Sequence, residues 1–278
     1  MNAGGRVHNG VGRSLVTLPR LCILSCVKSA VCSGVLLALL FWRPTHARAQ
    51  GTPQSDSGVQ PVTTHSIHWY EATAAAVGVG ALMLVDQPVQ RFAQRHRSPT
   101  TNDAASVFRH GGQPEVFGTV SLGLTAVGFV THRPAITAAG GRLVATLGLA
   151  GAATITLKAL IGRARPDAGV GAFDFDPLTH SDALPSGHSA MAFALAAGLS
   201  EAVRSRWARV GFYGFATGTA LSRINDNRHW LSDVGMGALI GVASAKLVSG
   251  RWRVFGLRAP GVAVGPRRTL IFGWQRRF

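Results

Sequence analysis

The sequence predicts an all-α protein, a bundle of about six helices with its functional site at one end, of a kind that can be integral to a membrane. Three observations predict it. Apolar helical segments recur over roughly 69–85, 114–132, 135–161, 187–203, 208–223 and 233–249. Pro88, Pro99, Pro114, Pro134, Pro166, Pro177 and Pro185 punctuate the connections between them, as a residue that breaks helices should. The 34 glycines and a charged fraction of only 14% suit closely packed helices.

From the start of the chain, Lys28 precedes an apolar run from Ser29 to Trp42, and Ala47-Arg48-Ala49 precedes Gln50. A basic region, an apolar stretch and an A-x-A site make residues 1–49 a signal peptide or an N-terminal anchor. Cys22, Cys26 and Cys32 all lie in this segment, so its removal leaves neither thiol nor disulfide. Residues 50–66, dominated at first by Gly, Pro, Ser, Gln and Thr, read as a flexible linker. The helical domain occupies 67–250, and a basic tail fills 251–278. Within that tail, Val262–Val264 and Thr269–Trp274 suit either two short strands or a segment lying on anionic headgroups.

A membrane span needs about 20 apolar residues. Segments 114–132 and 135–161 qualify, although Arg142 interrupts the second. Segments 69–85, 187–203 and 208–223 are short and rich in small residues, which also suits a soluble bundle. The address is the cell envelope, with a multi-pass inner-membrane protein preferred to a soluble periplasmic one. One tension follows. If Gln50 starts outside and every segment spans, the third helix delivers Lys158 to the cytoplasm.

The formal charge is +16, of which residues 1–49 supply +6 and the remainder +10, with seven arginines after residue 250. Such a surface attracts polyanions. No basic helix, finger or aromatic stacking array suggests nucleic-acid readout, so the expected partners are a phosphorylated lipid substrate and the membrane.

Three stretches carry the chemistry: Lys158 to Pro166, Pro185-Ser186-Gly187-His188, and Ser222-Arg223 through His229 to Asp233. His229 and Asp233 are four residues apart, so on a helix they share a face. A carboxylate there accepts the Nδ1 hydrogen and leaves Nε2 nucleophilic, although a surface ion pair has the same spacing. His188 opens a helix whose free N–H groups, beside Gly187, form an anion-binding end, and a histidine there can protonate a leaving alkoxide. Lys158 and Arg165 bracket the end of the third helix, with Pro166 as its stop, and Arg223 lies six residues before His229. Three converging cations neutralise phosphoryl oxygens as Mg²⁺ does in kinases. Each alone reads as a basic residue snorkelling at a helix end, and Arg163 and Arg228 are read as such bystanders.

Together the patterns Lys-x6-Arg-Pro, Pro-Ser-Gly-His and Ser-Arg-x5-His-x3-Asp resemble the type 2 phosphatidic acid phosphatase superfamily, which includes vanadium haloperoxidases and bacterial non-specific acid phosphatases. All three match without a substitution, in order, over residues 158–233. The resemblance implies a helical core over roughly 69–249 and a phosphohistidine at His229, oriented by Asp233. It implies proton donation by His188 and phosphate binding by Lys158, Arg165, Arg223, Ser186 and Gly187, with Ser222 more peripheral.

The expected function is hydrolysis of a phosphate monoester or diphosphate, foremost a lipid phosphate at the cell envelope, without metal or other cofactor. The alternatives are a non-specific periplasmic acid phosphatase or phosphotransferase, and a haloperoxidase, the one reading that requires vanadate. The connection 162–186, with Phe173, Phe175, Asp167, Asp174, Asp176 and Asp182, is expected to shape access to the site.

Overall fold

The computed structural model describes residues 64–179, 181–254, 261–264 and 270–273. The leader predicted at 1–49, most of the linker and much of the basic tail lie outside these residues. The order is β1 (His65–Ile67), α1 (Trp69–Leu84), α2 (Asp86–Arg95), α3 (Pro99–Gly111), α4 (Pro114–Val130) and α5 (Pro134–Ile161). A 3-10 turn at Pro166–Ala168 follows, then α6 (Gly187–Ala202), α7 (Arg206–Asn225), α8 (Leu231–Val248), β2 (Trp252–Val254), β3 (Gly261–Val264) and β4 (Leu270–Gly273).

The helical fold is as expected, but the described residues hold eight α-helices rather than about six. The additional ones, α2 and α3, are polar and lack the apolar run by which the others are recognised. Three of the seven prolines are helix starts and not stops: Pro99, Pro114 and Pro134 each occupy a first helical position. The N–H that proline lacks is unpaired there in any helix. Strands β1 and β2 pair in parallel, His65 opposite Trp252, and join the two ends of the helical unit. In the tail, β3 and β4 pair antiparallel, the strand alternative for that segment.

Helix α6 lies at the centre, packed against α5, α7 and α8. Its closest neighbour is α8, because both carry small residues where they meet. A Cβ on Gly237 would lie 2.5 Å from the Ser186 carbonyl oxygen, and one on Gly241 only 2.3 Å from that of Ala190. Ala190 and Ala194, both fully buried, supply the facing surface. Small residues at such a crossing let backbones approach closely. The approach sets the start of α6 beside the start of α8, where the second and third motifs lie.

Two helices, Pro134–Ile161 and Leu231–Val248, are long and apolar enough to cross a membrane. Helices α1 and α2, bent by 50° at their break, would together make a third such segment. Helix α4, expected to qualify by itself, is 17 residues long and falls short of that test. Only 22% of the most apolar window of α5 is buried within the protein, so most of that surface faces outward.

Replacing Gly241 by alanine should force α6 and α8 apart, since the clash is with backbone and not with a movable side chain. The expected loss is about 1–3 kcal/mol from overpacking. Thermal unfolding in detergent measures it, and a melting temperature at or above that of the parent would contradict the close crossing.

Candidate active site

Helix α5 ends on Gly162, which adopts the left-handed conformation at φ 60° and donates its N–H to the Lys158 carbonyl. Glycine is required there, because a Cβ would meet the Asp176 carbonyl group. Gly162, and not Pro166, therefore stops the helix. The chain then loops back: Asp176 N–H donates to the Gly162 carbonyl, and Leu178 N–H to that of Ala159. Through Ala183, whose N–H donates to the Arg163 carbonyl, it reaches the second motif.

The three motifs converge. Ser186 N–H donates 2.9 Å to the Asp233 carbonyl, tying the start of α6 to that of α8. His188 sits in the first turn of α6, close enough to feel the charges of Arg223, His229 and Lys158. Ser186 is buried, and its hydroxyl oxygen accepts a hydrogen bond from Ser189 at 3.1 Å. Ser222 is turned away from such a role, because its hydroxyl donates to the Thr219 carbonyl within α7.

His229 is 3% exposed and lies just before α8, in the turn that joins it to α7. Its Nδ1 is 2.8 Å from the Ala183 carbonyl oxygen. A carbonyl can only accept, so Nδ1 carries the hydrogen and Nε2 keeps its lone pair. The sequence reading gave that orienting role to Asp233. Its Oδ2 instead stands 3.6 Å from Nδ1 and accepts the Trp230 backbone N–H at 2.8 Å. The four-residue spacing does not lie along one helix. Asp233 is in the first turn of α8 and folds back over the helix start as a nearby charge.

What holds Asp233 is Arg163, which the sequence reading dismissed as a snorkelling bystander. It is completely buried. Its Nη1 donates to Asp233 Oδ1 at 2.7 Å and to Ser232 Oγ at 2.6 Å. Its Nη2 donates to Asp86 Oδ2 at 2.7 Å and to the Ala172 carbonyl at 2.6 Å, and Nε reaches that same carbonyl at 2.9 Å. All five guanidinium hydrogens are thereby used. Asp86, the first residue of α2, also accepts the Ser232 N–H at 2.8 Å. Phe175 and Trp230 flank the guanidinium, each ring centre 5.6 Å away. Asp86 carries no motif signal. Arg228, by contrast, forms a half-exposed pair with Asp167.

Of the three cations assigned to phosphate, Lys158 and Arg223 are near enough to act on both histidines, and Arg165 neighbours those two cations. Arg165 meets both carboxylate oxygens of Asp182 at 2.8 Å. Lys158 donates to the Asp182 backbone carbonyl and lies 3.8 Å from its Oδ2. Arg223 pairs with Asp226 at 3.2 Å, and its buried Nε finds no partner among the described residues.

Burial is the main cause lowering the pKa of both histidines. For His188, where the charges of Arg223 and Lys158 reinforce burial, it falls to about 4. For His229 burial outweighs the opposing pull of Asp233, so the ring stays neutral below its usual range. At neutral pH the nucleophile candidate is therefore the free base. His188 is neutral as well until an anion enters the cage and favours its charged form.

An arrangement of this kind, at one end of a helical bundle, is suited to holding and transferring a phosphoryl group. Residues 139–254, which carry all three motifs, match the PAP2 superfamily. Over 97 residues the chain is 41% identical to the Lipid A 1-phosphatase of Porphyromonas gingivalis, a stretch covering 34% of this chain and 19% of that protein. The match thus spans about a fifth of the relative's length. The fold is shared with the transmembrane PAP2 type phosphatidylglycerolphosphate phosphatase of Bacillus subtilis, at 22% identity and a TM-score of 0.52 over 65% of this chain and 95% of that one. LpxE of Aquifex aeolicus aligns over 58% of this chain and 92% of its own, at 23% identity and a TM-score of 0.47.

Two expectations follow. Arg163→Met should cost about 3–5 kcal/mol, because it leaves Asp86 and Asp233 as uncompensated buried charges. Arg163→Lys should restore little, since one ammonium cannot replace the five-donor fork. Melting of both variants against the parent tests this, and a parent-like Arg163→Lys protein would refute it. The second concerns pH. The unfolded chain protonates His188 near the ordinary imidazole value of 6.5, and the folded protein only near 4. Stability should accordingly be full above the upper value and fall as pH drops through that window. His188→Asn should make the fall shallower, and an unchanged slope would count against a neutral buried His188.

Proposed function

We propose that the protein is a phosphatase that removes a phosphoryl group from a lipid phosphate monoester or diphosphate at the cell envelope, through a phosphohistidine and without a metal. The observation that carries this reading is the fixed tautomer of His229. Its Nδ1–H is committed to the Ala183 carbonyl, which leaves Nε2 as a nucleophile at the centre of a cationic cage.

The sequence of events follows from that geometry. Lys158, Arg165 and Arg223 hold the non-bridging oxygens, with N–H groups at the start of α6 beside Ser186 and Gly187. His229 Nε2 attacks phosphorus, and the bond to the leaving oxygen breaks. His188, protonated once the anion is bound, gives its proton to that oxygen. Asp233 stabilises the positive charge that His229 acquires. Water then attacks the phosphohistidine, His188 takes its proton, and inorganic phosphate leaves. A phosphotransferase would differ only in supplying an acceptor hydroxyl in place of water.

The apolar exterior supports a lipid substrate. Val144, Leu149, Ile155 and Leu160 of α5 are exposed, as are Phe173, Phe175 and Leu178 in the access connection. With α5 and α8 crossing a membrane, these side chains meet lipid. The name of the Porphyromonas gingivalis relative, a lipid phosphatase, is in keeping with this reading.

Purified protein with a panel of lipid phosphates and soluble esters should release phosphate from the lipids preferentially, and EDTA should not abolish it. His188→Ala should lower kcat by about 10²–10⁴, the usual worth of a general acid. His229→Ala should eliminate both phosphate release and the acid-labile phosphoenzyme. Full activity in His229→Ala, or strict dependence on added Mg²⁺, would overturn the mechanism.

A further inference from the structure

We propose that Asp182 is a resident anion of the phosphate site, which an incoming phosphoryl group must displace, and that it thereby restricts the site to dianionic phosphate ends. The inference rests on the phosphatase reading above and adds a specificity determinant to it. Asp182 belongs to none of the three motifs, yet its carboxylate stands on two of the three cations they supply. Arg165 reaches Oδ1 and Oδ2 at 2.8 Å each, and Lys158 stands 3.8 Å from Oδ2. Among the described residues Arg165 has no other partner in a hydrogen bond or ion pair, and Lys158 has only the backbone carbonyl of Asp182 besides.

Asp182 is placed to leave. Its side chain is 44% exposed, whereas those of Lys158 and Arg165 are 19% and 27% exposed. It sits in the access connection immediately before Ala183, whose N–H and carbonyl are both engaged, by Arg163 and His229. The backbone is thus anchored while the carboxylate faces the mouth of the site. Asp226, beside Arg223, differs: it is 10% exposed and also holds Arg109 through both oxygens at 3.0 Å. Asp226 is a fixed support, and Asp182 is a removable one.

Carboxylate and phosphate can each present two oxygens to arginine's fork, and Arg165 Nε, which makes no hydrogen bond among the described residues, has a donor to spare for the incoming group. Charge then decides the competition. A terminal phosphate carries nearly two negative charges near neutrality, against one for the carboxylate. A phosphodiester also carries one, and gains nothing by the exchange. A site guarded in this way admits a lipid's phosphomonoester end and refuses the diester linkages that fill a membrane.

The test uses the full chain in detergent, with inorganic phosphate as the dianionic probe and dimethyl phosphate as the monoanionic one. Calorimetry reads binding, and inhibition of phosphate release reads the same site in turnover. Asp182→Asn should bind inorganic phosphate about tenfold more tightly, the order expected for removing one competing charge at contact distance where water screens the pair. KM should fall with it, by more than kcat changes. Asp182→Glu should keep the parent affinity. Unchanged or weaker phosphate binding in Asp182→Asn would overturn the proposal, since a side chain that merely orients the cations would give that result. The parent alone supplies a second measurement should that variant not fold: dimethyl phosphate should bind at least about tenfold more weakly than phosphate, and equal binding would also overturn it. A parent that binds phosphate but never releases it from any ester would sink the phosphatase reading, while the affinity comparison would still judge Asp182.

Discussion

The rest of the structure depends on one buried guanidinium. Arg163 joins the start of α2 through Asp86, the start of α8 through Ser232 and Asp233, and the access connection through the Ala172 carbonyl. Its own carbonyl receives the N–H of Ala183, whose oxygen in turn fixes the tautomer of His229. One residue thus sets both the position of the neighbouring carboxylate and the direction of the His229 lone pair. Burying such a charge is costly unless every donor is matched, and here all five are. The brace also holds two carboxylates against one guanidinium. That leaves negative charge beside His229, where the proposed attack on phosphorus would create positive charge.

That dependence explains which parts of the site could be read from the chain. Side chains that suit a phosphoryl group as cations or proton carriers are His, Arg and Lys, so Lys158, Arg165, His188, Arg223 and His229 stand out as candidates in a sequence with few charges. Arg163 did not, because an arginine two residues from another at a helix end reads as a surface cation. Burial is what separates the two, and burial depends on Asp86, a residue 77 positions away. The role of Asp233 was misread for a related reason. Spacing of four implies one helical face only if the helix includes both residues, and α8 begins after His229. The apolar helices were legible through composition. Helices α2 and α3 were not, since polar helices packed by tertiary contact carry no apolar run.

Resting charge in the site is nearly balanced. Asp182 answers Arg165 and Lys158, Asp226 answers Arg223 and Arg109, and Asp86 with Asp233 answers Arg163. Cations packed together at a half-buried bundle end would otherwise repel one another and resist folding. The carboxylates relieve that repulsion in different ways. Those on Arg163 are fully buried and bonded on several sides, which suits permanence. The one on Arg165 is open to solvent, which suits exchange. Stability and ligand binding are thereby assigned to different acids around the same cluster.

The bundle also fixes where a substrate would lie. Strands β1 and β2 pair at the end opposite the site, because α8 runs from Asp233 to Val248 before β2 begins. Helices α1 and α5 travel toward the site end, which Asp86 and Lys158 reach, and α6 and α8 depart from it. At 28 residues α5 is about 42 Å long, more than the roughly 30 Å of a bilayer's hydrocarbon core. On the proposed reading, with α5 crossing a membrane, Lys158, three residues from its end, would fall at headgroup depth, and a lipid phosphate would reach His229 without leaving the bilayer. Entry and exit of the helical unit share the face opposite the site. A leader that delivers Gln50 to the outer face, followed by full crossings, therefore turns the site inward. A chain entering from the inner face turns it outward. The parity of crossings before β1, and nothing in the cage itself, selects the leaflet that supplies the substrate.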